Sequence, residues 1–432
     1  MTSIWMGGVD MPHFPSLQKD IKTDVLIIGG GMAGILCAYF LKEQGVDYTL
    51  VEGRRICSGV TKDTTAKITA QHGLIYHKLL QSAGYEKAKK YLDINQTAVR
   101  KYKQLCQKAD CEYEEKTSYV YAMEDRKKLE DEMKALLRLG CPAYLQEPKR
   151  LPFQTAGAVC MEHQAQFHPL KFAAQIAAGL KIYENTFVRE FREHAAVTDQ
   201  GVITFQKAIF ATHFPIINKH GFYFLKMYQQ RSYVIALADA ENVDGLYIDE
   251  AKGGFSFRNY KNFLLIGGGE HRTGKCGGKW EKLREFAAKH YPERDIKYTW
   301  ATQDCMTLDD IPYIGRYAKH LPYCFVATGF RKWGMTSSMV SAMILTDLAM
   351  GQENPYSEVF LPSRGIVKKQ LLVNGWEAVS NLLAPSKKRC PHLGCRLKWN
   401  GAEESWDCAC HGSRFDEKGK LLDNPANGDL KH

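Results

Sequence analysis

Residues 24–34 read Asp-Val-Leu-Ile-Ile-Gly-Gly-Gly-Met-Ala-Gly, and this stretch decides the fold of most of the chain. Its apolar, β-branched first half is typical of a buried strand, and a helical spacing of apolar residues follows it. Gly29 permits a tight turn, Gly31 lets a pyrophosphate approach the backbone, and Gly34 lets helix and strand pack closely. The stretch therefore predicts a strand–turn–helix unit that binds a dinucleotide.

A second predicted strand and an acidic residue complete this unit. The apolar run Tyr48–Val51 is followed by Glu52, which lies eighteen residues beyond Gly34. At this position a carboxylate accepts hydrogen bonds from the hydroxyl groups of the adenosine ribose. The order strand, turn, helix, strand and acid is that of a dinucleotide fold.

Two further segments favour FAD over NAD. Residues 59–67 form a Gly/Thr-rich loop that can wrap the pyrophosphate and the flavin edge, with contacts expected from Thr61, Thr64 and Thr65. Residues 327–336 predict a second segment that closes the cofactor site, with contacts expected from Gly329, Gly334, Met335 and Thr336. The helical pattern that follows would start with free N–H groups and a partial positive charge. These would stabilise the negative charge of a reduced flavin.

Two boxes near the C-terminus combine cysteine and histidine. They read Cys390-Pro-His392-Leu-Gly-Cys395 and Cys408-Ala-Cys410-His411-Gly-Ser413. Two thiolates and two imidazoles on two loops suit a pair of irons, one held by both cysteines and the other by both histidines. Cys/His pairs at such spacings also bind zinc, so a zinc site is the alternative.

The boxes resemble the Rieske [2Fe–2S] signature. The resemblance implies that Cys390, His392, Cys408 and His411 are the cluster ligands and that Cys395 and Cys410 form a disulfide. Rieske domains usually place several strands before the first box, whereas residues 371–388 show no strand pattern. We therefore expect a shortened cluster domain whose loops pack against the rest of the protein.

Residues 19–362 resemble the FAD-dependent amino-acid oxidase superfamily, which includes glycine, sarcosine and D-amino-acid oxidases. With the Rieske boxes, the chain is similar to bacterial FAD-dependent oxidoreductases that carry a C-terminal Rieske domain. The resemblance implies an α/β fold with a Rossmann-like FAD lobe and an inserted antiparallel-sheet substrate lobe, at about 83–150 and 222–298. A linker at 363–383 and a small all-β cluster domain at 384–432 would follow.

The candidate catalytic residues are those that can position a substrate. Flavin amine oxidation depends mainly on substrate orientation, and basic side chains suit a carboxylate. Arg231, His271 and Arg272 are the candidates for that contact, with a structural role as the alternative. Lys332 and Trp333 adjoin the predicted closing segment and are expected to face the flavin.

Three other residues fit a known functional pattern only in part. Cys305 lies a few residues out of register with the cysteine that attaches flavin in sarcosine oxidases, so non-covalent FAD is expected. His163 and His168 have the spacing of an iron site in Rieske oxygenases, but they precede the boxes rather than follow them. A structural role is therefore expected for both histidines.

Composition indicates an ordinary globular protein. The chain has 432 residues, 45% of them hydrophobic, and the apolar stretch from Val25 to Leu41 is interrupted by glycines. Neither a membrane span nor a signal peptide is expected, and a cytoplasmic location is the default. The net charge of +10 can favour an acidic electron-transfer partner, but a charge of this size more often means only a solvated basic surface. No nucleic-acid partner is expected.

Together these features predict an FAD-dependent dehydrogenase. It would oxidise an amine or amino-acid-like substrate and pass electrons from flavin to its own [2Fe–2S] cluster, and then to an unknown partner. The alternatives are a reductase or monooxygenase with the opposite electron flow, and a redox sensor or electron carrier without turnover.

Overall fold

The computed structural model describes residues 2–217, 220–275, 280–365 and 369–430. Parts of the predicted lobes, linker and cluster domain lie outside these residues, namely 218–219, 276–279, 366–368 and 431–432. Within the described ranges, no helix is both long enough and apolar enough to cross a membrane. The described strands form three sheets.

An eight-stranded sheet forms the nucleotide-binding lobe. Its central strand, Ile21–Ile28, pairs in parallel with Tyr48–Val51 on one side and Val202–Phe210 on the other. The residues from Val25 to Ile28 are almost fully buried, as expected for a parallel strand with both faces covered. The remaining strands of the sheet are Ile182–Tyr183, Val188–Arg192, Ala195–Thr198, Tyr313–Ala318 and Leu321–Thr328.

Helices cover this sheet. Met32–Glu43, which follows the Gly-rich turn, packs against Gly334–Ala349. Pro169–Ala177 is capped by buried His168, whose Nδ1 accepts a hydrogen bond from the Lys171 N–H at 3.2 Å. The other described helices are Ile75–Ala83, Tyr85–Cys106, Arg126–Arg138, Tyr223–Lys226, Trp280–His290, Ser357–Phe360 and Lys369–Leu383, with 3-10 turns at Ile4–Met6 and Val60–Asp63.

A nine-stranded sheet forms the second lobe. Its strands pair antiparallel except for Leu246–Asp249, which runs parallel to Glu114–Ala122. The sheet extends beyond the predicted ranges because strands distant in sequence complete it, among them Gly157–Gln166 and Ile296–Thr307. Its other strands are Lys67–Ile68, Tyr144–Gln146, Met227–Ala238, Ser256–Tyr260 and Phe263–Arg272.

The C-terminal region forms a four-stranded antiparallel sheet. Its strands are Leu397–Asn400, Ser405–Cys408, Arg414–Asp416 and Leu421–Asp423. The segment before the first box forms the helix Lys369–Leu383 rather than strands, in agreement with the expected short domain. This helix occupies most of the predicted linker and packs against the second box, where the Cys410 sulfur lies 3.8 Å from the Glu377 carbonyl oxygen.

Candidate functional site

A cavity of about 570 Å³ lies where the three sheets meet. Its volume falls within the roughly 300–1,000 Å³ typical of ligand and cofactor sites. The walls come from the Gly-rich turn, the loop after Glu52, both large sheets and the C-terminal segment 421–427. One continuous cavity therefore connects the predicted dinucleotide site with the C-terminal domain.

Most of the predicted cofactor contacts line this cavity. They are Gly29, Gly31, Glu52, Thr61, Thr64, Thr65, Gly334 and Met335. Gly34, Gly329 and Thr336 are not among the cavity residues, and the close packing predicted for Gly34 is present. Gly34 packs on the Gly29 carbonyl, Gly329 forms a turn with φ +72°, and Thr336 bonds to buried His72 at 2.9 Å.

The Gly-rich turn has the geometry of a phosphate-binding turn. Gly29 has φ +109°, and a Cβ there would lie 2.5 Å from the Ala211 carbonyl oxygen. A Cβ on Gly31 would meet nothing closer than Thr61 Oγ1 at 3.5 Å, so its cavity side is open. At the start of helix Met32–Glu43, the Met32 N–H donates to Thr61 Oγ1 at 3.1 Å, while the N-cap residue Gly31 has no side chain to bond the N–H groups that follow. These N–H groups and the helix dipole suit a pyrophosphate.

Glu52 lies beside this turn at the end of its strand. Its Oε2 accepts a hydrogen bond from the Gly30 N–H at 2.7 Å, and its Oε1 accepts one from the Arg54 N–H at 2.9 Å. Burial raises the pKa of this carboxyl above its ordinary value, while these bonds act in the opposite direction. The bonds fix the carboxylate at the cavity wall, where its remaining lone pairs suit ribose hydroxyls.

The second predicted segment closes the opposite side of the cavity. Trp333 stacks on His72 with ring centroids 4.9 Å apart, directly before helix Gly334–Ala349. Burial lowers the pKa of His72 to about 3, so the ring is neutral, and it bonds to the Tyr91 hydroxyl at 2.7 Å. The start of the helix carries no side-chain cap among the described residues and borders the cavity. These groups and the Gly-rich turn fit FAD.

The four predicted cluster ligands are buried and meet in pairs of the same chemistry. The thiol groups of Cys390 and Cys408 are in hydrogen-bond contact. The Nδ1 atoms of His392 and His411 lie 3.2 Å apart. Two sulfurs on one side and two imidazole nitrogens on the other are the donor set of a cluster with unlike irons.

The two ligand loops are built alike. Gly394 N–H bonds to the Cys390 carbonyl oxygen at 2.9 Å, and Gly412 N–H bonds to that of Cys408 at 2.9 Å. Both glycines have positive φ, +77° and +86°, a conformation that a residue with a side chain rarely adopts. The Ser413 hydroxyl also bonds to the Cys390 sulfur. The residues after each histidine in the boxes therefore shape the turns.

Cys395 and Cys410 form a disulfide, with Cα atoms 6.6 Å apart. The bond joins the first ligand loop to the second. The Sγ atoms of these two residues and of Cys408 lie within 4.8 Å of one another. Since Cys395 and Cys410 are bonded to each other, this trio is not a separate metal site.

Two of the predicted catalytic residues, Arg231 and Arg272, contact the C-terminal domain, and Arg231 also lines the cavity. Buried Arg231 forms an ion pair with buried Glu403 of the C-terminal domain. Arg272 donates to the Ala409 and Cys410 carbonyl oxygens at 2.9 and 3.1 Å. His271 bonds to the Tyr233 hydroxyl at 2.9 Å and, like Arg272, is not among the cavity residues. Arg272 and His271 thus make contacts within the protein, and a substrate contact for either stays a prediction.

Lys332 and Trp333 do line the cavity. Lys332 forms an ion pair with Glu270, which lines the same cavity. Burial lowers the pKa of Lys332 to about 8. Cys305, by contrast, is a buried thiol that contacts the His213 carbonyl oxygen at 3.4 Å and is not among the cavity residues.

Sequence reasoning missed several polar residues of the cavity. Asp304 is buried, and burial raises the pKa of its carboxyl to about 7. Ser232 and Thr302 have buried hydroxyl oxygens with no hydrogen-bond partner among the described residues. Lys67, whose pKa burial and nearby cations lower to about 7, ends the Gly/Thr-rich loop. Only Lys67 had a sequence signal, since it belongs to that loop.

Two neighbouring strands line the cavity and also contact the cluster domain. Met227–Ala238 and Ile296–Thr307 pair so that Arg231 faces Gln303 and Ser232 faces Thr302. Because side chains alternate along a strand, Arg231 and Gln303 share one face, and Ser232 and Thr302 share the other. Gln303 Nε2 donates to the Gly412 carbonyl oxygen at 2.9 Å. The strand face that carries Arg231 and Gln303 therefore contacts the cluster domain.

Asn424 and Phe214 connect the cavity wall to the predicted histidine ligands. Asn424 Nδ2 donates to the carbonyl oxygens of Thr212 and Phe214 at 2.6 and 2.8 Å, and both Thr212 and Asn424 line the cavity. The Phe214 ring lies 6.3 Å from the His392 ring and 6.5 Å from the His411 ring, between centroids. One aromatic side chain thus lies between this part of the cavity wall and the predicted histidine ligands.

Comparison with protein families divides the chain into two parts. Residues 24–348 match the FAD dependent oxidoreductase family (DAO), and residues 366–432 match the Rieske [2Fe-2S] domain. The chain is 34% identical to the Rieske 2Fe-2S iron-sulfur protein YhfW of Bacillus subtilis (strain 168), with 99% of this chain and 96% of that protein covered. The cytochrome b6-f complex iron-sulfur subunit 2 of Trichormus variabilis is 48% identical over 42 residues, 10% of this chain and 24% of that subunit.

Solved structures resemble the larger part. Glycine oxidase from Geobacillus kaustophilus superposes with a TM-score of 0.68 at 19% identity, covering 80% of this chain and 99% of the oxidase. L-amino acid deaminase from Proteus vulgaris superposes with a TM-score of 0.65 at 17% identity, covering 84% of this chain and 98% of that chain. At these identities the likeness establishes the fold.

Proposed function

Because the chain belongs to the FAD dependent oxidoreductase (DAO) family and carries a C-terminal Rieske [2Fe-2S] domain, we propose that it is a dehydrogenase for an amine or amino-acid-like substrate, with electrons passing from FAD to its own cluster. Bound FAD supplies a hydride acceptor, and the cluster supplies a one-electron acceptor. The observation that carries this proposal is the bridge of Asn424 and Phe214 between the cofactor cavity and the histidines of the boxes. We also propose Cys390, His392, Cys408 and His411 as the cluster ligands.

The charges of the cavity support an amino-acid-like substrate. Lys67 and Lys332 are cations that can attract a carboxylate, and Asp304 and Glu270 can accept hydrogen bonds from an amine. Since hydride leaves most readily from a neutral amine, a carboxylate at Asp304 can take the proton of a substrate ammonium. The related structures are by name a glycine oxidase and an L-amino acid deaminase, which agrees with this substrate class.

The contacts between domains support a cluster domain that stays docked on the rest of the protein while it accepts electrons. The Arg231–Glu403 ion pair, the Arg272 bonds to the second ligand loop and the Gln303 bond to Gly412 all involve buried groups. Breaking such a buried network is costly, because each group would lose its partner. The proposal therefore needs no swinging domain. A cytoplasmic location remains part of the proposal.

The test is anaerobic mixing of the purified full chain with a panel of amino acids and secondary amines. We expect non-covalent FAD in about equal amount with two irons and two acid-labile sulfides. One substrate class should bleach the flavin absorbance, and the paramagnetic signal of the reduced cluster should follow. Stoichiometric zinc without labile sulfide would contradict the cluster assignment.

The order of reduction separates the alternatives. If an external donor reduces the cluster first and flavin reduction follows, the chain is a reductase or monooxygenase. If no substrate reduces the flavin while both centres respond to the solution potential, the chain is a sensor or carrier. Either result would replace the dehydrogenase proposal.

A further inference from the structure

The helix Lys369–Leu383 places its polar residues inside and its apolar residues outside. Asn374, Glu377 and Asn381 are 4%, 8% and 5% exposed. Leu372, Trp376 and Leu383 are 76%, 71% and 76% exposed, and Val373, Val379 and Leu382 are exposed as well. The spacing 372, 376, 379 and 383 puts one continuous apolar stripe on the solvent side. A surface helix of a globular protein has the opposite arrangement.

The buried polar face fixes this orientation. The Glu377 carboxylate forms an ion pair with Lys275. Arg272 donates to Asn374 Oδ1 at 2.9 Å, and Arg396 donates to Asn381 Oδ1 at 3.2 Å. A rotation that buried the leucines would leave these groups unpaired. The outward apolar stripe is therefore a stable feature of the docked helix.

The stripe continues onto the first ligand loop. Leu393, directly after His392, is also exposed. A Cβ on the next residue, Gly394, would lie 3.6 Å from Leu382 Cδ1, so loop and helix adjoin. We call the exposed apolar residues of the helix together with Leu393 the apolar face. It is located beside one of the cluster-binding boxes.

Basic residues flank the apolar face. Lys387, Lys388 and Arg389 are exposed and follow the helix, and Arg389 donates to the Leu382 and Ala384 carbonyl oxygens at its C-terminal end. Residues 369–389 contain one acidic residue, Glu377, which is buried and paired. An apolar helix face that contains Trp and is flanked by cations suits the interface of an anionic bilayer.

We propose that the apolar face docks this protein on the surface of an anionic lipid bilayer. The helix would lie in the plane of the interface, with Leu372, Trp376 and Leu383 among the acyl chains and Lys387 and Lys388 at the headgroups. A second copy of the chain fits less well, because a symmetric contact through this face would bring two basic flanks together. The proposal does not depend on the substrate or on the direction of electron flow.

The test is flotation of the full-length, cofactor-loaded chain with vesicles of phosphatidylcholine alone or mixed with phosphatidylglycerol. We expect binding to the anionic vesicles that exceeds binding to the neutral ones by about tenfold or more. The triple variant L372S/W376S/L383S should lose binding to both. The variant K387Q/K388Q should lose about thirtyfold in binding to anionic vesicles alone.

A matched control keeps the test specific. L137S/M123S alters two apolar residues that are also exposed but lie in the substrate lobe, and it should bind like the unaltered chain. The flavin and cluster spectra report folding of each variant. Absence of vesicle binding by the unaltered chain, or equal binding by all variants, would overturn the proposal. A dimer in light scattering that L372S/W376S/L383S abolishes, without vesicle binding, would assign the face to a second copy.

Discussion

Gln229 Nε2 donates a hydrogen bond to the main-chain oxygen of His411 at 2.8 Å, so a side chain of the second lobe holds the second Cys/His box of the C-terminal domain. The same amide donates to the Asn424 carbonyl oxygen at 2.9 Å, and its Oε1 accepts from Gln303 at 2.6 Å. A Cβ on Gly412 would lie 2.5 Å from Gln229 Cβ. Gly412 therefore lies so close to the Gln229 side chain that a larger residue would not fit there without a shift.

Replacing Gln229 should separate the two redox sites functionally. Gln229→Leu leaves the buried His411 carbonyl oxygen and the partly buried Asn424 carbonyl oxygen without this donor, and the buried one costs about 1–3 kcal/mol. We expect slower cluster reduction after substrate addition, with a smaller effect on flavin reduction, measured by rapid mixing. Gln18→Leu is the control, since Gln18 is exposed and bonds to neighbouring Ser16. Equal cluster reduction in both variants would mean that Gln229 does not position the loop.

Removing Arg231 should destabilise the docked cluster domain. Burial alone would raise the pKa of Glu403, but the charges of Arg231 and Arg414 outweigh it and hold that pKa below its ordinary value. Arg231→Met leaves Glu403 buried with Arg414 as its remaining cation, at 2.8 Å. Breaking a buried pair costs about 3–5 kcal/mol, and the Arg414 contact favours the lower end.

The measurement is urea unfolding followed by the cluster and flavin absorbance. Arg192→Met provides the control, because Arg192 and Glu190 form an exposed pair of the same chemistry. That substitution should leave the unfolding midpoint unchanged. An Arg231→Met midpoint equal to that of the unaltered chain would assign no stability to the buried pair.

How far the sequence predicts this molecule depends on whether a signal is local. Gly29, Gly31 and Glu52 follow from a fixed spacing, because strand, turn and helix are adjacent in the chain. Arg272 is different, since its partners Ala409 and Cys410 lie more than a hundred residues away. From the sequence alone, an arginine that follows Gly267, Gly268 and Gly269 fits a substrate contact and a structural contact equally well.

Helix Lys369–Leu383 shows a second limit. The sequence predicts a linker at 363–383, whereas most of this segment is a helix that packs on other parts of the protein. The inward face is polar and is paired with residues of other segments, such as Lys275 and Arg396. A reversed amphipathic helix cannot be distinguished from an ordinary one until its partners are placed.

Exchanging a proposed histidine ligand for cysteine should lower the cluster potential. A thiolate brings negative charge to the iron and favours its oxidised state, as in all-cysteine clusters near about −400 mV compared with about −150 to +300 mV for Rieske clusters. His392→Cys or His411→Cys should shift the potential downward or prevent cluster assembly, while FAD binding is retained. Redox titration with detection of the reduced cluster's paramagnetic signal measures the shift. An unchanged potential in both variants would show that neither histidine is a ligand.

Removal of the disulfide should loosen the two ligand loops. Cys395 and Cys410 are separated by fifteen residues, and closing a loop of this length constrains the unfolded chain by about 3 kcal/mol. The double variant Cys395→Ser/Cys410→Ser should retain the ligands but release iron faster on heating. The buried cysteine pair Cys106→Ser/Cys111→Ser, away from the cluster, is the control. Alkylation of protein from acid-quenched cells shows whether the Cys395–Cys410 disulfide forms in the cell. Two free, alkylated thiols at these positions in cluster-loaded protein would mean that it does not.

Asp304 should give both stability and turnover a pH dependence. Burial raises the pKa of its carboxyl to about 7, so the unfolded chain releases this proton at lower pH than the folded chain does. Its contribution to stability is therefore full below the unfolded pKa and is lost as the pH rises towards 7. Relative to the unaltered chain, Asp304→Asn should gain thermal stability as the pH rises from about 4 to about 7, and the difference should stay constant above that.

In turnover, the rate of flavin reduction by the best amine should rise through about pH 7 in the unaltered chain, because the Asp304 carboxylate then accepts the ammonium proton. Asp304→Asn should lose that rise, whereas Asp249→Asn, another carboxyl of the cavity wall, serves as the comparison. A rise that persists in Asp304→Asn would assign the proton transfer to another group.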